Sequence, residues 1–116
     1  VGNLAELEED LAESAPYIVE NIPEKLTHLL LSGDTGKILL PLLREKSPNL
    51  DIRWIESIQE IADVLDTLIV NDTVLGIKGS RSAHMERIIY ALQGNIGKCE
   101  LNRCGRLSMC KVCEEF

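Results

Sequence analysis

Aromatic side chains make up only 3% of the sequence, and Tyr17, Trp54, Tyr90 and Phe116 are all of them. Few rings are therefore present to stack on bases, and 19 acidic residues against 12 basic ones leave a net charge of −7. Neutralising phosphates takes a basic face that this balance does not supply, so no nucleic-acid partner is expected. Long apolar runs are missing too. None approaches the roughly 20 residues that span a bilayer, so no membrane partner is expected. Residues 1–10 are acidic where a secretory leader would be basic and then apolar, which makes the cytoplasm the expected compartment. Cysteine is absent before position 99, and in a reducing compartment the four thiols that follow are not expected to form disulfides.

What is present, 45% hydrophobic and 27% charged residues in a chain of 116, has the makeup of one globular domain. Glu6, Glu8, Glu9, Asp10 and Glu13 form an acidic run, read as a solvated face or a helix entry. Ser14 and Pro16 fit a helix start, with Tyr17, Ile18, Ile22 and Leu26 on the inner face and Pro23 ending it early. Residues 27–32 read as a strand buried on both faces. The following Gly33-Asp34-Thr35-Gly36-Lys37 is not a phosphate-binding P-loop, because its glycines are too close and Ile38 stands where a magnesium-binding hydroxyl belongs. It reads instead as a turn with Asp34 capping a helix over 38–46, where Leu39, Leu42 and Leu43 are buried and Pro41 perturbs the first turns. Residues 51–55 alternate as a strand, with Trp54 packed at the sheet edge. Ser57 and Glu60 make a capping box for a helix with Ile58, Ile61, Ala62, Leu65, Leu68 and Ile69 inward, broken at Asn71-Asp72. A third strand over 73–77 and a helix carrying Met85, Ile88, Ile89 and Leu92 complete the order.

Strands alternating with helices predict an α/β fold with a mostly parallel sheet and right-handed crossovers. In such a sheet ligands collect at the carboxyl ends of the strands. That end is where Lys78, Gly79, Ser80 and Arg81 are expected. Gly79 permits a tight turn, the N–H groups of Gly79 and Ser80 at a helix start attract anions, and Lys78 and Arg81 strengthen the attraction. The alternative is an ordinary turn carrying two solvated cations. Past Gly94 the periodicity stops, and the spacing becomes Cys99-x4-Cys104-x5-Cys110-x2-Cys113. Four thiolates could hold zinc tetrahedrally, although only the second pair has knuckle spacing; the alternative is four reduced thiols on a tail.

Residues 74–92, VLGIKGSRSAHMERIIYAL, closely resemble the last strand, KGSR loop and final helix of the Mur ligases that add D-alanyl-D-alanine to the peptidoglycan precursor. Gly2-Asn3-Leu4-Ala5-Glu6-Leu7 resembles the Gly-Asp-Met-x-Glu-Leu-Gly motif of the same C-terminal domain, with Asn3 in place of the acid and Glu8 in place of the last glycine. The histidine expected in the next helix is missing from residues 15–19. The resemblance covers residues 1–94 and leaves 95–116 as a separate Cys-rich tail. It implies a Rossmann-like three-layer domain lacking its first strand, and a substrate-binding role for Lys78, Gly79, Ser80, Arg81, Asn3 and Glu6. It also implies an enzyme that activates UDP-muramoyl-tripeptide with ATP and magnesium, bound mainly outside this chain, before D-alanyl-D-alanine attacks. The isolated chain is expected to be inactive. The alternative function is a stand-alone binding module whose tail holds a metal through its four cysteines, and in either case a sheet lacking a strand is expected to self-associate through its edge.

Overall fold

A computed structural model describes residues 1, 2, 10–101, 104–106 and 108–116. The expectations for Asn3, Glu6, Glu8 and Glu9 lie outside the described residues.

Leu29, Leu30 and Leu31 favour an extended, two-sided strand, and β1 (His28–Leu31) pairs in parallel with β2 (Asp51–Trp54) in the register His28 to Asp51 through Leu31 to Trp54. A parallel pair needs a crossover. Helix α2 (Gly33–Lys46) supplies it. Alternate residues of β1 point to opposite faces, as the pleat requires. Leu29 and Leu31 join Ala15 and Val19 of α1 (Leu11–Glu20), Leu39 and Leu43 of α2, and Ile52 in one apolar cluster. Leu30 faces a second cluster of Ile58, Ile61 and Leu65 from α3 (Ile58–Leu68) with Ala83, Met85 and Ile88, the last from α4 (Glu86–Leu92). The result is a mixed α/β architecture with helices against a small two-stranded parallel sheet. No described helix is long and apolar enough to cross a membrane.

Local chemistry sets the element ends. Ser57 Oγ accepts the Glu60 N–H at 3.4 Å and caps α3, a bond of the kind that contributes about 1 kcal/mol. Helix α2 starts earlier than expected. Ser32, not Asp34, is the residue before its first turn, and Asp34 lies within that turn, where its charge meets the positive end of the helix. Gly33 enables this early start with a φ of 66°. Gly36 is a packing glycine. A Cβ there would lie 3.0 Å from both Leu31 Cβ and Trp54 Cδ1, close enough that the neighbours would have to give by a few tenths of an ångström, so the bare glycine lets the helix approach the sheet without displacing them. Trp54 sits at the edge as expected, its Nε1 donating to Gly33 O at 3.0 Å and Lys37 Nζ lying 4.9 Å from the ring centroid.

Leu42 and Ile69, expected inward, are 36% and 38% exposed, and two further elements differ from expectation. Helix α1 begins at Leu11 and buries Leu11, Ala15 and Val19, a spacing of four that turns Tyr17 outward to 71% exposure; Pro16 lies inside the helix instead of opening it. Residues 73–77 form no strand. Thr73 Oγ1 instead accepts the Val70 N–H at 3.0 Å, Asp72 takes a left-handed φ of 67°, and Val74 is 95% exposed. The segment has no ladder neighbour among the described residues. An apolar slot of about 190 Å³ separates this segment from β1, lined by Leu29, Leu30, Ile61, Leu65, Leu75 and Ile77 among others. Backbone groups without a ladder partner do not make a strand. Only the end of the slot is bridged. Val1 pairs with Leu31 in the parallel pattern, its amino group donating to Leu30 O and its carbonyl accepting from Ser32 N, and Gly2 N donates to Lys78 O at 2.7 Å. Burial pushes the Val1 ammonium down to about 6.

Candidate functional site

The turn after Lys78 is built differently from a plain strand-to-helix junction. Arg81–Ala83 is a short 3-10 turn, His84 then takes a left-handed conformation at φ 46° and ψ 45°, and α4 begins only at Glu86. The N–H groups of Gly79 and Ser80 therefore do not stand at the start of a regular helix, which corrects that part of the expected anion site. Lys78 and Arg81 keep their exposure, and among the described residues neither has an ion-pair partner. Glu86, the obvious local acid for Arg81, is engaged elsewhere. Ser80 is buried, with its Oγ 3.0 Å from Ser82 Oγ. Gly79 lies beside Gly2: a Cβ there would meet Gly2 Cα at an ordinary 3.5 Å but would crowd Met85 Cγ at 2.6 Å, so the bare backbone makes room for the Met85 side chain. Asn3 and Glu6 lie outside the described residues.

The cysteine-bearing tail folds back onto α4 and the 80–84 turn. Cys104 N donates to Ser82 O at 3.0 Å, Arg87 Nη1 donates to Leu101 O, Lys98 N donates to Phe116 O at 2.6 Å, and Phe116 packs on Tyr90 with ring centroids 5.7 Å apart. Cys99, Cys104, Cys110 and Cys113 all line one cavity of about 140 Å³, together with His84 and Arg106. Their surroundings are unequal. Arg106 donates through its backbone N to Cys104 Sγ at 3.4 Å and through Nη1 to Cys113 Sγ at 3.2 Å, while its Nη2 meets Glu115 Oε1 at 2.7 Å. The backbone N–H of Glu115 and then the Arg106 guanidinium hold the Cys113 thiol below its usual value. Burial, seconded by the Glu86 charge, pushes the Cys110 thiol up to about 11.

Glu86 is the hinge between turn and tail. Its Oε1 lies 3.0 Å from His84 Nδ1 and accepts the Cys110 N–H at 3.2 Å. Burial alone would raise its carboxyl, but the bonds from His84 and from the backbone N–H groups of Glu86 and Cys110 outweigh that and hold it low. His84 Nε2 in turn lies 3.0 Å from Arg106 O, and its side chain is 4% exposed. Among the described residues, the one set of three potential ligand atoms within 4.8 Å of one another belongs to His84, Glu86 and Cys110, not to the four cysteines. The sequence offers Glu86 only as a local acid for Arg81 and does not mark His84 and Glu86 as ligands. The available signal is the His-x-Glu spacing, which is common in exposed helices; what brings the pair together is the left-handed backbone at His84, invisible to periodicity. Comparison of the chain with known protein families, curated proteins and solved structures returned no match.

Proposed function

We propose that this chain is the C-terminal substrate-binding domain of an ATP-dependent ligase that joins D-alanyl-D-alanine to UDP-muramoyl-tripeptide, built as a Rossmann-like α/β unit. The supporting observation is the Gly2 N to Lys78 O bond, because it brings together the two segments that carry the resemblance although they lie far apart in sequence. Lys78 and Arg81 are exposed on the segment that meets Gly2, open to a small carboxylate ligand. Arg81 is assigned to the terminal carboxylate of the incoming dipeptide, whose planar geometry its guanidinium matches, and Lys78 acts as a point charge. ATP and magnesium belong to the rest of such an enzyme: this chain has no P-loop sequence, and residues 33–37 serve the packing of α2.

Alone, the chain is expected to hydrolyse no ATP above the buffer rate when supplied with magnesium, UDP-muramoyl-tripeptide and D-alanyl-D-alanine, as followed by phosphate release. Turnover that depends on the tripeptide nucleotide would place reacting groups inside the chain and overturn the assignment. Reading the gene upstream of Val1 gives the complementary test. An open frame encoding a P-loop domain supports the ligase, and a start codon adjoining Val1 supports a stand-alone binding module on the same scaffold.

A further inference from the structure

Three side chains unused by the proposed ligase role converge where the tail meets the turn after Arg81. We propose that His84, Glu86 and Cys110 bind a zinc-class divalent cation through His84 Nδ1, Glu86 Oε1 and Cys110 Sγ. These atoms lie within 4.8 Å of one another, with Nδ1 and Oε1 3.0 Å apart. Nitrogen and oxygen ligands each about 2.0–2.1 Å from a tetrahedral ion stand roughly 3.3 Å from each other, so that pair needs to separate by only a few tenths of an ångström.

The histidine is already oriented. Nε2–H donates to Arg106 O at 3.0 Å, which leaves Nδ1, facing the carboxylate, as the nitrogen that can take a metal. A second ring nitrogen tied to a carbonyl is the usual way a ligating imidazole is held in place. Without a cation, a proton must sit on Nδ1 or on the carboxylate to make the 3.0 Å contact; a divalent ion displaces that proton to solvent, and the Cys110 thiol releases its own proton to solvent as its sulfur binds. One nitrogen, one oxygen and one sulfur suit zinc. They do not suit magnesium or calcium, which take oxygen alone. Water is the ready source of a fourth ligand; Cys99 lines the same cavity but lies outside the set of ligand atoms within 4.8 Å of one another, so it would join only after a local shift.

The competing four-thiol centre is disfavoured by Arg106. Cys104 and Cys113 already accept hydrogen bonds from that residue, one from its backbone and one from its guanidinium, and a cation is a poor neighbour for a second cation. A bound ion at His84, Glu86 and Cys110 would clamp the tail to the turn that carries Ser80, Arg81 and Ser82. This site stands on the geometry of the tail and does not depend on the ligase assignment.

The test uses the full chain, purified reduced, equilibrated with zinc and desalted. Metal analysis should give one zinc per chain, and X-ray absorption should show one or two sulfurs at about 2.3 Å with the remaining ligands nitrogen or oxygen at about 2.0–2.1 Å. Glu86→Gln and His84→Asn should each weaken zinc affinity by ~10-fold or more while circular dichroism stays unchanged; asparagine tolerates the left-handed backbone at that position. Cys104→Ser combined with Cys113→Ser should leave affinity within about twofold of wild type, since neither residue is a ligand. A chain that binds no zinc, a shell of three or four sulfurs, or loss of zinc in the Cys104 and Cys113 double variant with retention in His84→Asn would each overturn the proposal.

Discussion

Replacing Arg81 with alanine in a complete ligase carrying this domain should lower kcat/KM for D-alanyl-D-alanine by roughly 10- to 100-fold, about 1.4 to 2.7 kcal/mol of transition-state stabilisation. The magnitude follows from a charge-assisted hydrogen bond, which contributes about 1.5 to 3 kcal/mol. Unfolding stability should stay within about 0.5 kcal/mol of wild type, because Arg81 is exposed and has no ion-pair partner among the described residues. The local competitor is occupied: Glu86 binds His84 and the Cys110 N–H. Steady-state kinetics with varied dipeptide, beside thermal melts of the same variant, separate the two roles. Wild-type kinetics accompanied by a lowered melting temperature would make the loop a structural turn.

Leu31→Ala should be the most damaging single change to the fold, destabilising it by roughly 3 kcal/mol and lowering the melting temperature by about 10 °C. Leu31 is 1% exposed and faces Gly36 at the closest approach of α2 to the sheet; its backbone also pairs with Trp54 on one side and with Val1 on the other. Truncation there leaves a cavity that the rigid helix crossover cannot fill. Val74→Ala is the matched control. It should change stability by less than about 0.5 kcal/mol, since Val74 is 95% exposed. Denaturant unfolding of both variants checks the pair, and a loss of about 2 kcal/mol or more in Val74→Ala would mean that residues 73–77 form a buried strand after all.

Elements whose signal is carried within a few residues were legible in the sequence. The apolar run at His28–Leu31, the alternation at Asp51–Trp54 and the serine cap of Ile58–Leu68 each state a local rule that the fold obeys. The apolar run at 73–77 states the same rule and fails, because a strand is a property of two chains of backbone and this segment borders a slot. Tyr17 and Ile89 misled for a related reason: the inward stripe of a short helix depends on where the helix begins, and α1 and α4 begin elsewhere than periodicity placed them. Lys78 to Arg81 stand out by residue type as a candidate anion site, and the fold keeps both cations exposed. The grouping of His84 and Glu86 with Cys110 does not stand out, since it needs both a left-handed residue and a tail that returns across 24 positions.

The two apolar clusters divide the chain in order along the sequence. Every side chain of the first lies before residue 55, and every buried member of the second lies after residue 57, with Leu30 the one strand side chain of the first half that reaches across. A chain emerging from the ribosome can therefore condense α1, β1, α2 and β2 before α3 has been made. Native-state amide exchange should separate into two cooperative openings with their boundary between β2 and α3, the second half opening without the first.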